Sequence, residues 1–99
     1  MKRLDLRDEA LSDICRKWKI RELSLFGSVL GNDFRRDSDI DVLVEFYETA
    51  EWSLFDFIEI ADELGKLLGH RVHLIEKEGL RNPFRRRAIM DSREVIYVA

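Results

Sequence analysis

Asp39-Ile40-Asp41-Val42-Leu43-Val44 opens in acids and continues in apolar residues. Read as a strand, it sends Asp39 and Asp41 out by one face while Ile40, Val42 and Val44 enter a core. Two adjacent carboxylates repel each other unless a cation lies between them. Oxygen ligands on a rigid strand suit a hard divalent ion such as Mg2+, which completes its shell with water and substrate phosphates. Upstream, the apolar run Leu25-Phe26 stops at Gly27-Ser28. Gly27 permits a tight turn that brings backbone N–H groups close to an anion. Ser28 adds a hydroxyl and opens a short helical stretch whose N-terminus favours negative charge. One half of the pattern suits phosphate and the other suits metal, the equipment for moving a nucleotidyl group from a triphosphate. A solvated turn would explain either half alone. Gly-Ser after an apolar strand, ten intervening residues, then Asp-x-Asp opening a second strand favours the phosphate and metal reading.

The elements that must hold these residues follow from periodicity. From Asp8 to Trp18, Ala10, Leu11, Ile14, Cys15 and Trp18 recur at helical spacing, giving a surface helix with one buried stripe. Ile20 to Phe26 is the first strand and Ile40 to Phe46 the second, joined by a polar loop from Asn32 to Ser38. Arg35 and Arg36 in that loop serve chiefly to solvate it, with Arg35 or Arg36, and Arg36 in the first place, a candidate contact to a triphosphate. Ser53 with Asp56 three residues on starts a second helix, whose core stripe is Leu54, Phe57, Ile58, Ala61, Leu64 and Leu68 and which Gly69 ends. Trp52 and Phe55 fall off that stripe and suit a protein interface or local packing equally. Arg71 to Glu76 is the third strand, so residues 40–76 form a strand, helix, strand unit with parallel strands and a right-handed crossover. His73 is then a candidate neighbour of Asp41 across the sheet, while His70 in the preceding turn reads as surface. Asn82 caps a third helix starting at Pro83, with Phe84, Ala88 and Ile89 inward and Arg85, Arg86 and Arg87 partly outward, and Glu94 to Val98 closes the chain as a strand.

With 99 residues there is room for one domain, residues 1–99, with one modest core that an assembly partner would help stabilise. A hydrophobic fraction of 45% is that of a globular protein, and a net charge of −3 offers no polycation to nucleic acid. Cys15 is the single cysteine, which excludes an intrachain disulfide and suits a reducing, cytoplasmic setting. It lies on the apolar side of the first helix, a structural thiol rather than a nucleophile. No segment reaches the roughly 20 apolar residues of a membrane span, and no membrane partner is expected.

Gly27-Ser28, ten residues, Asp39-Ile40-Asp41 resembles the signature of the DNA polymerase β-like nucleotidyltransferase superfamily, and the short chain resembles its minimal nucleotidyltransferase (MNT) branch. The resemblance runs from the first helix to the last strand. It implies a small α/β domain with a mixed β-sheet and helices packed on it. It also implies Mg2+ on Asp39 and Asp41, with Mn2+ as a substitute, and ATP as substrate at the Gly27-Ser28 turn. A HEPN-family toxin is the implied partner, neutralised by transfer of AMP to a toxin tyrosine in a hetero-oligomer. The sequence departs from the pattern at one place. The third strand of the superfamily carries a carboxylate where this chain has His73, in Arg71-Val72-His73-Leu74. His73 could act as general base, could ligate a softer ion, or could mark a protein that neutralises its toxin by binding alone.

Overall fold

The computed structural model describes residues 9–32 and 34–99; Asp8, where the periodicity starts the first helix, and Asp33 of the polar loop lie outside them. The chain runs α1 (Glu9–Lys17), β1 (Ile20–Phe26), a single 3-10 turn (Gly27–Leu30), β2 (Ile40–Phe46), α2 (Leu54–Leu68), β3 (Val72–Glu76), a second 3-10 turn (Lys77–Gly79), α3 (Pro83–Ser92) and β4 (Glu94–Val98). The four strands form one mixed sheet in the order β3-β2-β1-β4. β1 runs antiparallel to both β2 and β4, while β2 and β3 are parallel. The expected crossover unit is therefore present, and α2 is its helix. No helix among the described residues is long and apolar enough to cross a membrane.

Strand alternation divides the apolar residues between the two faces of the sheet. Ile40, Val42 and Val44 of β2 join Ile20, Leu23 and Leu25 of β1, and Leu11 and Cys15 of α1 with Ile60, Leu64 and Leu68 of α2 cover them. On the opposite face Phe26, Leu43 and Ile75 meet Leu80 and Ile89, so α3 and the turn before it cover only part of the sheet. Asp41 lies on this same face, beside Phe26 in register and partly exposed.

Local chemistry sets the element ends where the sequence places them. Ser53 and Asp56 form a reciprocal capping box, Gly69 takes the left-handed conformation at φ 75°, and the Asn82 side chain accepts from the backbone N–H groups of Phe84 and Arg85. Three expectations about inward faces need correction. In α2, Leu54 and Ile58 are exposed, whereas Ile60 is fully buried and Phe57, Ala61 and Leu67 pack against the core. The true stripe is 57, 60, 61, 64, 67 and 68, rotated by a fraction of a turn, and α2 packs against α1 as well as against the sheet. In α3, Phe84 and Ala88 are exposed and Ile89 alone is buried, with Met90 beside it. Arg86 turns back to donate to the carbonyls of Lys77 and Leu80. In α1, Ala10 is exposed. Trp52 is a packing residue: its Nε1 donates to the Trp18 carbonyl at 2.9 Å and its ring meets Trp18 edge to face.

Candidate active site

Register brings the two halves of the motif together. Phe26, the last residue of β1, pairs with Asp41 of β2, so the chain leaves β1 through Gly27 directly beside the Asp41 side chain. Gly27 has φ +76°, and a Cβ built on it would lie 2.4 Å from Oδ2 of Asp41. The left-handed backbone favours glycine, and a methyl group here would displace the Asp41 carboxylate. Ser28 follows, exposed, in a 3-10 turn that closes with the Gly31 N–H donating to the Ser28 carbonyl. The turn is four residues long, the short helical stretch expected at this point, here of 3-10 type and starting at Gly27.

The parallel pairing of β2 with β3 places His73 opposite Asp41, and His73 Nδ1 lies 3.2 Å from Asp41 Oδ1. One residue before β2, Asp39 Oδ1 accepts from Nε of Arg71 at 2.9 Å. Each aspartate thus faces a basic side chain from the same segment of chain. Asp41 is the more enclosed, with 26% of its side chain exposed against 46% for Asp39. Glu76, three residues on from His73 and so of opposite strand parity, is exposed at the end of β3 and does not stand in for the missing carboxylate. Arg36 is exposed in a turn in which Ser38 N–H donates to the Arg35 carbonyl and Arg35 N–H donates to Ser38 Oγ. Among the described residues, the contacts that gather Gly27, Asp41 and His73 do not reach it.

The donor set answers whether Mg2+ fits. Among the described residues no three His, Cys, Asp or Glu side chains converge on one point. Two carboxylates with the remaining positions left to water and phosphate is an ordinary Mg2+ arrangement, so Asp39 and Asp41 fit the ion. Oδ1 of Asp41 is engaged by His73, while Oδ2 faces the Gly27 turn. Cys15 is excluded from chemistry, since burial pushes its thiol up to about 12.

Two residues of this region were missed by sequence reasoning or read as plain surface. Arg71 pairs with Asp39, and a signal for it existed. The same offset of 32 residues that aligns His73 with Asp41 also aligns Arg71 with Asp39. His70 is half-buried, and its Nδ1 lies 3.1 Å from the Ser38 carbonyl while its ring packs on Phe34. The same 32-residue offset aligns His70 with Ser38, a signal that reading the turn as surface passed over.

Comparison with known proteins agrees with the geometry. The nucleotidyltransferase domain family model matches residues 7–96. The protein adenylyltransferase MntA of Thermococcus cleftensis is 39% identical over 82 residues, covering 83% of this chain and 78% of that protein. A solved structure described as a minimal nucleotidyltransferase superposes with a TM-score of 0.71 at 31% identity, covering 95% of this chain and 98% of that one. A toxin–antitoxin crystal structure with AMP-PNP gives the same TM-score at 20% identity over 97% of this chain and 75% of that one, a likeness of fold. From the matched motif, the shared topology and these relatives together, this chain belongs to the nucleotidyltransferase domain family, within its minimal branch.

Proposed function

We propose that this chain is an antitoxin that transfers AMP from Mg-ATP to a tyrosine hydroxyl of a HEPN-family toxin. The observation that carries the reading is the seating of Gly27 against Oδ2 of Asp41, which sets the exposed Gly27-Ser28 turn directly beside a proposed metal ligand. The MntA relative is named a protein adenylyltransferase, and a fold neighbour is a toxin–antitoxin assembly with an ATP analogue. A protein acceptor also suits the surface. Leu54, Phe55 and Ile58 are 72%, 82% and 57% exposed on α2, an apolar stripe of the kind that marks protein contacts.

In this reading Asp39 and Asp41 hold Mg2+, which would neutralise charge on the triphosphate. The Gly27-Ser28 turn holds the phosphates, and Arg36 is a further contact to them. His73 Nδ1 lies 3.2 Å from Asp41 Oδ1, and a carboxylate oxygen only accepts, so Nδ1–H donates and Nε2 is the nitrogen left to take a proton. That nitrogen takes the proton of the acceptor hydroxyl as its oxygen bonds to the α-phosphorus and the bond to the pyrophosphate breaks. His73 thereby replaces the absent third carboxylate as general base. Transfer of label from α-labelled ATP to the purified toxin tests this. Asp41→Asn is expected to lower transfer at least about 100-fold. Undiminished transfer would refute the site.

A second reading has one observation in its favour: both aspartates already have a basic partner, and among the described residues no third acid joins them in a group that could hold a metal ion. The chain would then neutralise its toxin by binding alone. Full neutralisation by an Asp39→Ala, Asp41→Ala double variant would establish that reading over the first.

A further inference from the structure

The loop that delivers Asp39 has little holding it in place from within. Residues 34–39 contain one turn, closed by the reciprocal bonds between Arg35 and Ser38, and the rest is irregular. What fixes it from outside is the helix-to-strand turn at 69–71. Gly69 ends α2 in the left-handed conformation and turns the chain back toward β2. His70 then follows half-buried, with its ring centroid 4.8 Å from that of Phe34 and Nδ1 3.1 Å from the Ser38 carbonyl. A carbonyl can only accept, so Nδ1 is the donor. The Ile40 N–H donates to the Arg71 carbonyl at 2.9 Å, and the Arg71 side chain reaches Asp39. Four contacts from two consecutive residues thus land on Phe34, Ser38, Asp39 and Ile40.

We infer that His70 is a positioning residue for Asp39, its ring and Nδ1 clamping the 34–39 loop so that the carboxylate is presented beside Asp41. His70 touches no reacting atom; it acts through the peptide that immediately precedes Asp39. The inference rests on Asp39 having the metal-binding role proposed above, but its test does not depend on activity alone. The amides of Arg35 and Ser38 report on the loop turn directly, since both N–H groups are hydrogen-bonded within it.

The experiment compares His70→Ala, His70→Asn and the unaltered chain by amide hydrogen exchange, by Mn2+ affinity in the presence of a non-hydrolysable ATP analogue, and by transfer kinetics. An Asn amide nitrogen occupies about the position of Nδ1, so His70→Asn keeps the bond to Ser38 and loses the ring contact. His70→Ala is expected to speed exchange at Arg35 and Ser38 about tenfold, the loss of one net hydrogen bond and a ring contact. Mn2+ affinity and kcat are expected to fall severalfold, with KM for the toxin unchanged and with His70→Asn recovering part of each loss. Unchanged exchange at Arg35 and Ser38 in His70→Ala would overturn the inference, whatever the activity. Equal losses in the Ala and Asn variants that merely track thermal stability would overturn it too. If the unaltered chain transfers no AMP, the functional reading fails while the exchange comparison still decides the role of His70.

Discussion

Gly27 and Gly69 offer a matched pair for separating backbone strain from contact with the site. Their φ angles are +76° and +75°, but a Cβ at Gly27 meets Asp41 Oδ2 at 2.4 Å whereas one at Gly69 meets nothing within 4 Å. An alanine at either position takes on the same left-handed backbone penalty, about 1–2 kcal/mol. At Gly27 the added methyl must also push the Asp41 carboxylate away by about 1 Å to restore an ordinary carbon–oxygen contact of roughly 3.3 Å. The carboxylate is the end of a side chain, so this displacement adds little to the loss of stability. It falls, however, on an atom proposed to hold the reacting complex, where a shift of about 1 Å costs on the order of 100-fold in rate. Urea unfolding is therefore expected to show similar losses for Gly27→Ala and Gly69→Ala. AMP transfer and ATP-analogue binding should show a large loss for Gly27→Ala and a small one for Gly69→Ala. If the two variants transfer AMP equally well, the glycine turn and Asp41 do not form one site and the reasoning fails.

Further outcomes follow from other parts of the fold. Glu63 accepts from Lys17 Nζ at 2.9 Å and from Trp18 Nε1 at 3.2 Å, and chiefly the Lys17 bond holds its carboxyl below the ordinary value. Because the folded pKa is the lower one, this stabilisation is present above the unfolded pKa and fades as pH falls through the folded value. Glu63→Gln should accordingly cost about 1 kcal/mol in urea unfolding at pH 7 and progressively less as pH falls below about 4. Cys15 is fully buried and its thiol is pushed up to about 12, so iodoacetamide at pH 8 should leave the folded chain unmodified and alkylate it fully in denaturant. Ile60→Ala should cost about 2–4 kcal/mol and Ile58→Ala less than about 0.5 kcal/mol, the reverse of what the sequence stripe implies for these two positions.

Much of the scaffold is legible in the chain because its signals are local. The β1 and β2 boundaries at Ile20–Phe26 and Ile40–Phe46, the capping box at Ser53, the left-handed Gly69 and the Asn82-Pro83 start all coincide with what short-range chemistry requires. His73 is also legible as a candidate neighbour of Asp41, since the two strands of a crossover unit share a sheet, and the sheet's register then pairs them. The inward faces of α2 and α3 are less so. Leu54, Ile58 and Phe84 are as apolar as the residues that are buried, and periodicity alone does not say toward which of several neighbours a helix turns.

What the sequence by itself determined is the set of parts: two strands with acids at one end, a glycine that must sit at their junction, and a histidine where an acid would be expected. Tertiary structure decided which parts touch. It set Gly27 against Asp41, paired Arg71 with Asp39, and brought His70 onto the loop before Asp39. The reason is physical: turn and cap preferences depend on a few neighbouring residues, whereas contacts between residues tens of positions apart exist only once the sheet has closed and its register is set.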